Sequence, residues 1–208
     1  SSLFNPSNNS GYNSMTDVFV SYSRKDKAFV QKLLEALTRA ERDAWVDWED
    51  IPRAADWLQE IYKGIDEAEN FLFVVSPNSL TSEVCAYELR HAIDQKKRII
   101  PLILQQIKDE TLVTVRGKWM DQPWEQTARD NCKHLQSVNW LMFDDDAQFD
   151  SEFAALLTTI EQDYAHVQSH TRFALRAKEW EKRHRDRSSL LIGSEIDEAE
   201  AWLQQATS

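Results

Sequence analysis

Three runs of seven residues, "TDVFVSY" (16–22), "NFLFVVS" (70–76) and "RIIPLIL" (98–104), constrain the fold of this chain more than any other feature. Each is apolar almost throughout and rich in β-branched and aromatic residues, the pattern of a strand buried on both faces. Between and after them lie stretches with helical periodicity. "SRKDKAFVQKLLEALTRAER" (23–42) aligns Phe29, Val30, Leu33, Leu34 and Leu37 in one stripe, and Ser23 with Asp26 three residues on resembles a capping box. "ADWLQEIYKGIDEAE" (55–69) and "SEVCAYELRHAIDQKK" (82–97) repeat the pattern, and "DAWVDW" (43–48) reads as a further short strand. Buried strands alternating with amphipathic helices specify a parallel sheet covered on both faces.

The rest of the chain completes and extends this unit. Residues 105–137 hold Trp119, Trp124, Gly117 and Pro123 without a clean period, and are expected to form loops with a short irregular helix. "VNWLMF" (138–143) restores a strand. "DDDAQFDSEFAALLTTIEQDYAHV" (144–167) opens with capping acids and aligns Phe149, Phe153, Leu156, Leu157, Ile160 and Tyr164, giving five strands and about five helices by residue 167. Residues 1–15, rich in Ser and Asn, are expected to be a disordered leader or an expression remnant. Residues 16–167 form the domain. Residues 168–208 read as a helical hairpin, basic in its first arm and opened by Ser194 as a cap in its second, docked on the domain or leading to a downstream module of a longer protein.

Composition narrows the function. A net charge of −11 argues against a nucleic-acid backbone as the main partner. No apolar segment approaches the roughly 20 residues of a membrane span, no signal peptide is evident, and the two cysteines, Cys85 and Cys132, fit a reducing cytoplasm. There is no Walker loop or G-x-G-x-x-G, which excludes a kinase or dehydrogenase. Asp144, Asp145 and Asp146 are more simply a turn and cap than a cation site, and the five histidines show no ligand spacing with cysteine, so no metal is expected.

In an open parallel sheet, ligands bind outside the carboxyl ends of the strands where strand order reverses. The residues delivered there are Ser21, Tyr22, Ser23 and Arg24 after the first strand, Asp47, Trp48, Glu49 and Asp50 after the second, and Ser76 to Ser82 after the third. On the following helix Cys85, Leu89, Ala92 and Ile93 form the buried face. Glu88 falls about 60° to one side of Cys85, at the border of core and crevice. On residues alone two readings stand: a functional carboxylate, or a partly exposed helical glutamate offset by Arg90 or His91.

Four segments, in order, carry a family resemblance. "TDVFVSYSRKD" resembles the opening box of Toll/interleukin-1 receptor (TIR) domains, "WVDWEDIP" their second strand and the loop after it, "SPNSLTSEVCAYEL" the stretch holding the glutamate of those that cleave NAD, and "NWLMF" the last box. The resemblance spans residues 17 to about 167 and is nearest to bacterial members joined to sensor modules by a helical extension. It implies a flavodoxin-like sheet and, in many members, an NAD glycohydrolase switched on by self-association. NAD⁺ is then substrate rather than cofactor, and Glu88, in Cys-x-x-Glu, takes the place of the catalytic glutamate.

Other roles stay open. Trp48 either stacks on a base or packs on Pro52. Arg24 either receives the pyrophosphate or is a surface arginine beside Lys25. Ser21, Tyr22 and Asp47 border the crevice. Ser76 and Ser82 either bond ribose or cap helices, and Cys85 is a small core residue at the border of the site. Two departures stand out: Pro52 is followed by Arg53-Ala54-Ala55 where the family often has Pro-Gly, and Val84 stands where many NAD-cleaving members carry tryptophan. An aromatic wall must then come from Trp48 or Tyr87. The alternative to an enzyme is a scaffold that only recruits other TIR domains.

Overall fold

A computed structural model of the chain describes residues 16–46, 57–162, 164–187 and 190–206. Five parallel strands, β1 (Thr16–Ser21), β2 (Ala44–Trp45), β3 (Ala68–Val75), β4 (Arg98–Ile103) and β5 (Leu141–Met142), form one sheet in the order β2-β1-β3-β4-β5. That is the flavodoxin-like order, whose reversal lies between β1 and β3. β3, buried at all eight positions, is the central strand that the apolar run predicts.

The helices α1 (Lys27–Arg39), α2 (Trp57–Glu67), α3 (Pro77–Leu80), α4 (Glu83–Asp94), α5 (Asp109–Trp119), α6 (Glu125–Gln136) and α7 (Phe149–Glu161) cover the two faces. α1 buries Val30, Leu33, Ala36 and Leu37 against Val18, Val20, Leu72 and Ile100, together with α7. On the other face α2 and α4 bury Ile61, Ile65, Cys85, Leu89 and Ala92 against Phe19, Phe71 and Phe73. Alternate residues of each strand feed opposite faces, so both layers are fixed by the strand period of two. Gly64 allows α2 to lie close to the sheet: a Cβ there would meet Trp45 at 3.0 Å and Phe19 at 3.4 Å.

Several expectations are corrected. Residues 105–137 hold two full helices, not loops with one irregular helix; Trp119, Trp124, Val115 and Ala128 join them in a third cluster under Ala86, and Trp119 donates its indole N–H to the Leu80 carbonyl at 2.7 Å. Ser23 makes no capping hydrogen bond through its side chain. The helix expected to run to residue 167 ends at Glu161, where Gln162 is extended, and α8 (Tyr164–Lys182) begins afresh. With α9 (Ser194–Ala206) it forms the expected hairpin; the arms run antiparallel, as the pairs Arg172–Glu198 and Arg176–Glu195 require. Ser194 is the first residue of α9, after Gly193 at φ 56°.

β5 is short. It pairs with β4 only at Leu102 and Ile103, so residues 98–101 extend beyond it as sheet edge, with Pro101 among them.

Candidate active site

The strand-to-helix connections at the carboxyl edge meet at the reversal between β1 and β3. Asp26 ties the two sides together. Its carboxylate accepts from Ser76 Oγ at 2.5 Å and from Asn78 Nδ2 at 3.0 Å, so the segment after β1 is bonded to the segment after β3. Ser76 also caps α3 in a reciprocal box with Ser79, and is 1% exposed. Ser82 caps α4, accepting from the Cys85 amide at 3.3 Å.

α4 starts at this edge, and its second turn delivers Glu88 beneath the end of β1. Ser21, the last residue of β1, donates its hydroxyl to Glu88 Oε2 at 2.5 Å. Glu88 is 5% exposed and Ser21 1%, so the carboxylate lies deeper than the border position that helical geometry predicts. Neither cation considered as its surface counterpart is engaged there: Arg90 pairs with Asp94 and His91 with Asp66. Burial of a carboxylate against a hydroxyl at a strand end is a costly arrangement, and one that recurs at sites of chemistry.

Above Glu88 opens a cleft of about 340 Å³ lined by Val20, Tyr22, Ser23, Arg24, Lys25, Trp57, Ser82, Val84, Cys85 and Glu88. Of the residues singled out from sequence, Tyr22, Arg24, Ser82, Cys85 and Glu88 line it and Ser21 touches it through Glu88. Ser76 does not line it; its hydroxyl serves α3 and Asp26. Asp47 and Trp48 lie outside the described residues. Cys85 is 1% exposed, and burial, then the Glu88 carboxylate, push its thiol up to about 12, so it is a core residue and no nucleophile at neutral pH.

Trp57 was missed as a site residue. It begins α2, and helices of a parallel sheet begin at the carboxyl edge, so its place in the chain was the available signal. Tyr87 instead packs toward Trp119 and Trp124. The cleft thus combines a buried carboxylate at its base, an aromatic ring on its wall and two cations, Arg24 and Lys25, from the turn after β1. That set suits a ligand with a flat ring and an anionic part joined by a polar centre that can become positive.

The three consecutive acids have local partners, Gln106 donating to Asp144. Asp145 caps the Ala147 amide and Asp146 pairs with Lys32. No group of three metal-binding side chains occurs among the described residues, and no described helix is long and apolar enough to cross a membrane.

Comparison with known proteins gives one family. Two solved structures share the fold: the TIR domain of the Toll-related receptor TRR-2 from Hydra magnipapillata (TM-score 0.51, 18% identity, 70% of this chain and 98% of that one) and the TIR domains of the activated Roq1 resistosome recognising the pathogen effector XopQ (0.56, 18%, 69% and 98%). A Cytobacillus dafuensis protein named "Putative cyclic ADP-D-ribose synthase TIR2" is 27% identical over 103 residues, 45% of this chain and 26% of that protein, so the chain spans about a quarter of its relative's length. The family model described as TIR domain matches residues 18–157, most of the chain, from within β1 to within α7, and the chain belongs to the TIR domain family.

Proposed function

We propose that this TIR domain is an NAD⁺ glycohydrolase that releases nicotinamide and leaves ADP-ribose or a cyclic isomer, with Glu88 as the catalytic carboxylate. The observation that carries the reading is Glu88 itself, buried at the base of a cleft and held by Ser21 at the β1/β3 reversal. The name of the Cytobacillus relative supports the same substrate class.

The chemistry follows from the charges. Nicotinamide in NAD⁺ is a cationic leaving group, so when the bond from ribose C1 to the ring nitrogen breaks, the electron pair neutralises the ring and no general acid is needed. The barrier lies in the oxocarbenium-like charge left on ribose. A fixed carboxylate beside C1 in a partly dry cleft stabilises that charge more in the transition state than in the ground state. Ser21 holds Oε2 in place. Trp57 is positioned to stack on a ring, and Arg24 and Lys25 to meet the pyrophosphate. Water then attacks C1 and gives up a proton, or a nucleophile within the same substrate closes a cycle.

Self-association of TIR domains gates this activity, and a sensor module in a longer protein drives it, in a cytoplasmic bacterial pathway such as defence against phage. Residues 168–208 are the extension that leads to that module. A second reading, a scaffold without catalysis, is favoured by Val84, an aliphatic residue on the cleft wall. The deciding experiment is NAD⁺ consumption with product identification by chromatography over a protein concentration series, for this chain and its Glu88→Gln variant. Turnover that rises faster than linearly and is lost in the variant supports the enzyme. Absence of turnover with crowding agent and the full-length protein selects the scaffold, and turnover that survives in Glu88→Gln removes Glu88 from the mechanism.

A further inference from the structure

α8 lies beyond the segment matched by the family, yet it is built into the domain. Val167 and Thr171 are buried, Thr171 with no exposed surface, and Lys178 stands two turns further along the same face. Gln168 bonds the Glu69 carboxylate at the start of β3. Lys97, 6% exposed, donates to the backbone carbonyls of Asp66 and Ala68, both at 2.7 Å, and to Thr171 Oγ1 at 3.3 Å. The helix is held by buried polar contacts as well as apolar ones.

The Asp66 side chain, at the end of α2, is the crossing point. Its Oδ2 takes Lys178 Nζ of α8 at 2.5 Å, and its Oδ1 lies 2.9 Å from His91 Nε2 of α4. The His91 ring stacks on Tyr62 of α2, with centroids 4.1 Å apart and planes 8° from parallel. His91 is three residues beyond Glu88 on one helix, so the two side chains are neighbours on its surface and share its movement. From α8 to the candidate catalytic carboxylate the chain of contact is Lys178, Asp66, His91 and then the rigid turn of α4.

Resting on the reading of Glu88 given above, we infer that α8 is a positioning element of the active site: through Lys178 and Asp66 it clamps His91, and with it the register of α4 that sets Glu88 against Ser21. Movement of α8 relative to α2 releases the clamp and lets the carboxylate drift from the end of β1. The extension is therefore the handle by which an attached module sets the rate of the site, and Lys178, Asp66 and His91 act on it through position without touching substrate.

The test uses the whole chain. Lys178→Met keeps most of the side-chain stem and removes the charge; Asp66→Asn weakens both arms; Lys178→Arg restores a donor and serves as rescue. Amide hydrogen exchange in residues 83–94 is measured beside NAD⁺ kinetics. The expected result is exchange about tenfold faster in α4 for Lys178→Met, with β1 and β3 unchanged, kcat reduced about tenfold at nearly constant KM, and both recovered by Lys178→Arg. The clamp is refuted by unchanged exchange in α4, by an acceleration confined to α8, or by a uniform acceleration across all strands, which marks a general loss of stability. If Lys178→Met fails to fold, Asp66→Asn and Thr171→Val give the same readout. Exchange decides the clamp even if wild-type protein turns over no NAD⁺, so the failure of the enzymatic reading and the failure of the clamp are told apart.

Discussion

Glu88, in the second turn of α4, and Asp66, at the end of α2, are both carboxylates drawn out of water on the same face of the sheet, but they sit at opposite edges. Asp66, at the amino edge, is spanned by His91 on one oxygen and Lys178 on the other. Burial alone would raise its pKa, yet the hydrogen bonds from His91 and Lys178 outweigh that and hold it below the usual carboxylate range. Glu88, at the carboxyl edge, meets a neutral hydroxyl and faces a cleft large enough for a ligand. A charge matched on both oxygens serves architecture. In the proposed enzyme a carboxylate at the base of an open cleft is the one that meets the substrate.

The largest effect that would break this contrast is on catalysis. Glu88→Gln keeps the shape and the Ser21 contact but removes the charge, and should lower NAD⁺ turnover by on the order of 10²–10³-fold with little change in melting temperature. An equal loss of stability would place Glu88 with Asp66 as an architectural group.

Next comes Lys97 at the amino edge, which burial lowers from 10.5 to about 8. Between those values the unfolded chain binds more protons than the folded one, so stability rises with pH across that window, by no more than about 3 kcal/mol from this group. Urea unfolding at several pH values should show that rise in wild-type protein and its absence in Lys97→Met; identical slopes would put the lysine in water.

Ser21→Ala should reduce kcat about tenfold and leave KM nearly unchanged, since the hydroxyl fixes the carboxylate and not the ligand. A rise in KM alone would make Ser21 a substrate contact instead.

The smallest effect sharpens the comparison from α2, which carries Trp57 into one region and Asp66 into the other. Gly64→Ala gains helix propensity but drives a methyl group into the stacked rings of Trp45 and Phe19, and should cost about 1 kcal/mol net by thermal unfolding. A gain in stability would mean that Trp45 moves aside freely.

Much of this architecture was legible in the residues because strands buried on both faces leave little choice of pattern. The runs at 16–22, 70–76 and 98–104 announced a parallel sheet, and the position of Glu88 three residues after Cys85 led to the cleft. Residues 105–137 hid their helices because α5 buries only Val115 and Trp119, too sparse a stripe to show a period. Trp57 lay unremarked inside a segment read only as a helix, and its place at the start of that helix is what brings it to the cleft. The clamp was unreadable for a different reason. Lys178 and Asp66 are more than a hundred positions apart, and nothing local marks one lysine of a basic helix as the one that meets a buried carboxylate. Asp26 likewise gave a helix-capping signal while its partners, Ser76 and Asn78, lay fifty residues on.

The brevity of β5 leaves residues 99–101 of β4 beyond its ladder, and a sheet border of that kind is one on which another extended chain can add itself and begin a fibre. Pro101 interrupts that template. It has no N–H to offer, and Arg98, bonded to the Thr159 carbonyl of α7, ties a helix across the start of the same border. A protein whose proposed role depends on copies assembling must do so by chosen surfaces, and a proline in the middle of an apolar strand keeps accidental strand exchange from competing with them.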